Sequence, residues 1–152
     1  MNMNAIERER PVADGRAMRT SSSEEPLNLR VVRRAFSAFA SGDVTGLRNV
    51  LAPNAHYRVA PTGKFTGDYR GAAAVMAFFG QIAHETEGSF RVSPVEMAAS
   101  GDRVFVLYRV SGRRGDKTLD SADVAVFTVT DGAVAEAIFH QSDYPAHAAF
   151  WS

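Results

Sequence analysis

The chain of 152 residues contains no cysteine, which removes disulfides, thiolate metal sites and cysteine nucleophiles while leaving the compartment open. It has no excess of charge: seventeen Lys and Arg stand against seventeen Asp and Glu. No net field therefore favours nucleic acid, an acidic membrane or an anionic partner. The histidines are few and scattered. His56, His84, His140 and His147 show no HExxH or comparable ligand spacing, so neither a metal nor any other cofactor is expected. No run approaches the roughly twenty apolar residues that span a bilayer. Residues 1–25 lack even the run of about seven that a secretory signal needs, and a cytoplasmic protein is the default expectation.

With 45% hydrophobic and 22% charged residues, the rest has the make-up of an ordinary globular protein. The length allows one domain with a core and a cavity, and leaves no room for a second. Residues 1–25, polar and of mixed charge, are expected to form a disordered or loosely attached tail, and residues 26–152 the folded domain.

Ser22 and Ser23, followed by Glu24, Glu25 and Pro26, form a helix entrance, and Leu29, Val32, Phe36 and Phe39 recur at helical spacing. Gly42 suits a left-handed cap. Asp43 can cap a second, short helix that buries Leu47, Val50 and Leu51 and ends at Pro53. AHYRVAP predicts a short strand closed by Pro61, and TGKFTGDYRG a loop. Val75, Met76, Phe78, Phe79 and Ile82 make a third helix over 72–83, apolar around much of its circumference. After Gly88 the period changes to two. Segments 89–98, 103–113, 118–129 and 133–142, separated by SGD, RGDK and TDG turns, read as an antiparallel meander. Helices first and strands last indicate an α+β domain, with helices packed on one face of a curved sheet.

The runs AFSAFASGDVTGLRNVLAPNAHYRV, GDYRGAAAVMAFFGQI, GDKTLD and VFTVTDGAVAEAIFHQSD, with the final AFWS, resemble a SnoaL-like domain of the nuclear-transport-factor-2-like superfamily over residues 26–152. The resemblance implies three N-terminal helices on a strongly curved, mainly antiparallel sheet. That sheet would form a conical half-barrel around a central apolar pocket, often in a homodimer. It also implies a spread of roles: polyketide cyclases, ketosteroid isomerases, dehydratases, epoxide hydrolases and non-catalytic binding proteins. A fold of this kind does not settle function.

If the RGDK turn sets Arg114 opposite Lys117, then Tyr108 faces Asp123, Val106 faces Ala125 and Val104 faces Phe127, all on one side of the sheet. That side is apolar except for a phenol and a carboxyl about 5 Å apart at Cβ. The two can satisfy each other, in which case Asp123 is structural. By resemblance to ketosteroid isomerases, DVAVF instead matches the segment that supplies an acid kept neutral by its apolar site. The isomerase general base would fall near Val59 and its first-helix tyrosine near Ala35 or Phe36, and neither polar group is present here. Asp123 is then an acid that burial holds protonated more readily than usual, able to polarise a carbonyl or pass a proton.

The TDG turn leaves two registers open. A three-residue loop with Gly132 in a left-handed bulge turns Ala135, Ala137, Phe139 and Gln141 inward. A two-residue loop turns Glu136, Ile138 and His140 inward, with His140 opposite Asp123. In the first register, the one adopted, His140 lies on the surface or a dimer face. Tyr57 shares an inward face with Val59, leaving His56 and Arg58 outside. Phe36, Phe39, Phe78 and Phe79 are candidate walls, and Asp143, Tyr144 and Trp151 are expected to cover the open end.

The candidate catalytic residues are thus Asp123, Tyr108, Tyr57 and His140. The candidate substrate contacts are Phe36, Phe39, Val59, Phe79, Val106, Ala125, Ala137, Phe139 and Gln141, around a cavity of roughly a few hundred Å³. The expected function is a cofactor-independent acid/base enzyme acting on a small, largely apolar carbonyl compound. The alternatives are a non-catalytic pocket or dimerisation protein and an epoxide hydrolase, for which no Asp-Arg-Asp set lies on one face.

Overall fold

In the computed structural model residues 25–60 and 63–152 are described; the tail up to Glu24, the Ser22–Ser23 entrance and the stop at Pro61 lie outside them. Helix α1 (Leu27–Ser41) starts after Pro26, whose φ of −52° suits a helix start, and ends at Gly42, which is left-handed at φ 68°. The Asp43 side chain then accepts from Gly46 N at 2.9 Å and starts α2 (Val44–Val50). The chain turns extended at Leu51, sooner than Pro53 suggests, and runs as β1 (Leu51–Val59).

GDYR, read from its turn residues as loop, is a strand, β2 (Gly67–Arg70), pairing antiparallel with β1 so that Tyr57 faces Tyr69. Four residues are too few to show an alternation. Helix α3 (Ala72–Glu85) follows, burying Val75, Phe78 and Ile82, so one stripe, and not most of its circumference, is covered. Four strands come next: β3 (Arg91–Ser100), β4 (Arg103–Arg114), β5 (Lys117–Thr130) and β6 (Ala133–His140). A fourth helix, α4 (Tyr144–Trp151), was not anticipated. One strand, AHYRVAP, is expected between the second and third helices; the grouping of three N-terminal helices is corrected in that a second strand, β2, also precedes α3, and a fourth helix, α4, closes the order.

The strands form one curved sheet in the order β2-β1-β6-β5-β4-β3, antiparallel except where β1 lies parallel to β6. The β4–β5 register is the one the RGDK turn implies, with Tyr108 opposite Asp123, Val106 opposite Ala125 and Val104 opposite Phe127. Val104, Val106, Tyr108 and Val110 are buried, while Arg103, Phe105, Leu107 and Arg109 alternate outward. Each buried valine contributes about 1.5–3 kcal/mol. A slip of one residue would exchange the two sets, and that fixes the pairing.

The last hairpin reaches the adopted phase by another route. Asp131 and Gly132 both have positive φ, 51° and 75°, and Thr130 pairs with Ala133, so the turn has two residues. Alone it would turn His140 inward. Ala135 is an extra residue between Val134 opposite Val129 and Glu136 opposite Thr128, and this bulge restores the phase. Val134 is therefore the buried residue in place of Ala135, while Ala137 faces Phe127 and Phe139 faces Ala125. No helix among the described residues is long and apolar enough to cross a membrane.

Candidate active site

Between the inner face of the sheet and the helices lies a cavity of about 120 Å³, smaller than the few hundred Å³ expected and close to the volume that holds a benzene ring. Phe36, Phe39, Val59, Phe79, Phe139 and Gln141 line it as expected, together with Asp123, Tyr108 and Tyr57. Val106, Ala125 and Ala137 are fully buried on the same face but do not reach it. Ring packing accounts for this: Phe36 lies 5.9 Å from Tyr108 and 5.8 Å from Phe127, and Phe127 lies 6.1 Å from Phe139. His140 is exposed on the other face, opposite Val124, and is removed from the candidate set.

Asp123 is 1% exposed, and its surroundings are unlike those expected. Its Oδ1 accepts from Ser121 Oγ at 2.8 Å, from Ser142 N at 3.0 Å and from Ser142 Oγ at 3.3 Å. Its Oδ2 accepts from His147 Nε2 at 2.8 Å. Tyr108, directly opposite, makes no hydrogen bond to it, so the phenol–carboxyl pairing inferred from the register does not form. Four donors from the protein itself satisfy the carboxylate instead.

The expectation of a protonated acid is reversed by these partners. Burial pushes the Asp123 carboxyl upward, but the hydrogen bonds from His147, the Ser142 backbone and Ser121 outweigh it and hold the group below its ordinary range. Asp123 is ionised at neutral pH. An ionised carboxylate only accepts, so Nε2 of His147 carries its proton. In the neutral ring the lone pair then lies on Nδ1, a buried atom with no hydrogen-bond partner among the described residues. Tyr108 is pushed well above the ordinary phenol value by burial and then by the Asp123 charge, and Tyr57 by burial. Both remain protonated donors. Gln141 Oε1 is a second buried atom without a partner among the described residues.

Helix α4 makes this arrangement. Asp143 caps it by accepting from Ala146 N at 3.0 Å, and Pro145 occupies its first turn. One turn on, His147 points at Asp123 and, with Trp151, lines the cavity. At the far end Arg114 Nη1 donates to Phe150 O at 3.2 Å and to Ser152 O at 2.7 Å, and Lys117 Nζ to Ser152 O at 3.0 Å. Cations on the last carbonyls of a helix suit its dipole. Trp151 is buried and lines the cavity, whereas Asp143 and Tyr144 are exposed. Sequence reasoning missed His147, Ser121 and Ser142. The SDYP cap followed by AHAAFW announces a helix, but not the side from which its histidine meets the sheet. Among the described residues no group of three or more His, Cys, Asp or Glu is placed to hold a metal ion.

The model of the SnoaL-like domain family matches residues 32–137. The uncharacterized protein Rv0034 of Mycobacterium tuberculosis is 30% identical over 126 residues, which make up 82% of this chain and 96% of the relative. Among solved structures, Bal32a from a soil-derived mobile gene cassette is 33% identical with a TM-score of 0.81, over 83% of this chain and 97% of its own. A nuclear-transport-factor-2-like protein from Burkholderia xenovorans is 28% identical with a TM-score of 0.71, over 83% of this chain and 96% of its own.

Proposed function

Because the chain belongs to the SnoaL-like domain family, which includes polyketide cyclases and isomerases, we propose that it is a cofactor-independent enzyme acting by acid/base catalysis on a small, largely apolar carbonyl compound. The observation that carries this reading is the buried pair of Asp123 and His147 at the edge of an aromatic cavity. A carboxylate fixed to one ring nitrogen orients the ring, and the other nitrogen has no partner among the described residues. His147 is the base, removing a proton from the carbon beside the carbonyl. Asp123 orients the ring and balances its charge, and Tyr108 or Tyr57 donates to the oxygen where negative charge develops. The proton then returns from the imidazolium to the carbon skeleton or to a leaving oxygen.

The test is hydrogen–deuterium exchange at the α-carbon of acetophenone, an aryl ketone whose ring matches the one-ring cavity, followed by NMR in D₂O. The protein is expected to accelerate exchange, and His147→Gln to lower the rate by about a hundredfold or more while the ketone still binds. A ketone that binds without exchange would sink the enzymatic reading.

One observation favours a second reading, a non-catalytic protein that binds a hydrophobic metabolite. All four donors to Asp123 come from the protein, as expected of a latch that ties α4 to the sheet. The exchange assay separates the two. The lining residues supply a single carboxylate and no arginine, so the geometry gives an epoxide hydrolase no support. We also propose a homodimer. Val95, Phe105, Leu107 and Val124 are exposed on the outer part of β3, β4 and β5, and an apolar sheet face of this kind suits a second copy.

A further inference from the structure

A second cavity, of about 620 Å³, opens between the end of α1, α2, α3 and the start of β3. It shares Phe39, Leu47, Phe79 and Phe90 with the inner cavity. These four side chains are therefore the partition between the two spaces. Phe39 sits at its centre, with ring centroids 5.4 Å from Phe79 and 6.3 Å from Phe90, both edge-on. Edge-on aromatic contacts of this kind are individually weak, and a ligand can displace them.

The outer space differs from the inner one in its charge. Its walls are apolar or small residues except for Ser41 and two arginines, Arg48 from the last turn of α2 and Arg91 from the first residue of β3, and no Asp or Glu lines it. The Arg48 side chain makes no ion pair or hydrogen bond among the described residues. Arg91 is anchored through Nη1, which donates to Gly88 O at 2.5 Å and to Phe90 O at 3.0 Å, leaving its other N–H groups unengaged. Among the described residues Arg33, Arg58, Arg109 and Arg114 pair with acids, whereas Arg48 and Arg91 belong to the arginines that pair with none. Two cations without counter-ions, facing an apolar groove, form a place for a carboxylate. The inner cavity admits about one ring, and the outer one has room for the rest of a longer molecule.

We infer that the ligand is an amphipathic acid: an aryl or other cyclic end enters the inner cavity past Phe39, while a carboxylate on a short chain remains outside on Arg48 and Arg91. This names the substrate class of the site proposed above and rests on that reading.

The experiment titrates the full chain with 4-phenylbutyrate and with its neutral methyl ester, reading the fluorescence of Trp151, the single tryptophan, which lines the inner cavity. The acid is expected to bind about tenfold more tightly than the ester. The preference should shrink as salt rises and vanish in Arg48→Gln/Arg91→Gln, while ester affinity stays unchanged. Equal affinities in the wild type, or a preference that survives in the double variant, would overturn the inference and leave the inner cavity as a binding site. If neither compound perturbs Trp151, the inference and the site reading beneath it both fall. A normal acid preference in a protein without α-carbon exchange would uphold the inference and remove the catalytic step alone.

Discussion

Replacing Asp123 tests the centre of the site most directly. In Asp123→Ala the Ser142 N–H, the Ser121 hydroxyl and His147 Nε2–H lose their common acceptor at 2.8 to 3.0 Å. They are left facing a space that water does not easily reach. Each donor left unsatisfied away from water costs about 1–3 kcal/mol, so a loss of about 3 kcal/mol is expected for the group. Asp123→Asn is gentler. The amide oxygen can still accept from Ser142 N and Ser121, but the NH₂ then faces His147 Nε2, which must give up its proton to Nδ1, an atom with no acceptor. The exchange loses charge assistance and leaves one donor unsatisfied, for about 2 kcal/mol. Urea unfolding followed by Trp151 fluorescence measures both variants. For a domain of this size a loss of about 3 kcal/mol also lowers Tm by roughly 6–12 °C. Destabilisation of both variants by less than about 0.5 kcal/mol would refute the reasoning, because a carboxylate held by four donors cannot be removed so cheaply.

Other outcomes follow from the same geometry. Since the folded state holds Asp123 below its ordinary value of 3.8, its stabilisation is complete above that value and is lost as pH falls through the lower folded-state value; the acid limb of the stability–pH curve should flatten in Asp123→Asn. Tyr108→Phe removes a hydroxyl that bonds to no described side chain, so stability should stay within about 0.5 kcal/mol of wild type while α-carbon exchange of acetophenone slows. Leu107→Glu, on the outer sheet face, should leave the fold intact and convert the proposed homodimer to a monomer in sedimentation velocity; an unchanged sedimentation coefficient would remove that interface.

The sheet was legible where local chemistry and periodicity agreed. The RGDK turn and the alternation on β4 and β5 both specify the pairing of Tyr108 with Asp123, and the structure has it. On β6 the phase was right although the device was wrong: the turn has two residues, and the compensating bulge at Ala135 lies where nothing in AVAEAIFH marks it. The ionisation of Asp123 was misread for a different reason. Burial alone argues for a neutral acid, and three of the four bonds that overrule it come from residues 142 and 147, beyond the reach of strand-pair geometry. His147 was visible only as one histidine of four. Its eight-residue helix is apolar on most sides, so no pattern states which side meets the sheet.

The placement of α4 sets the order in which the site can be made. A chain growing from its N-terminus has all six strands once residue 140 is in place, yet of the four donors to Asp123 only Ser121 is then present. Ser142, His147 and Trp151 arrive over the following eleven residues and, in a single docking step, dehydrate the carboxylate, supply its counter-group and wall off the hollow. A nascent protein interrupted inside that interval would carry a complete sheet and no site.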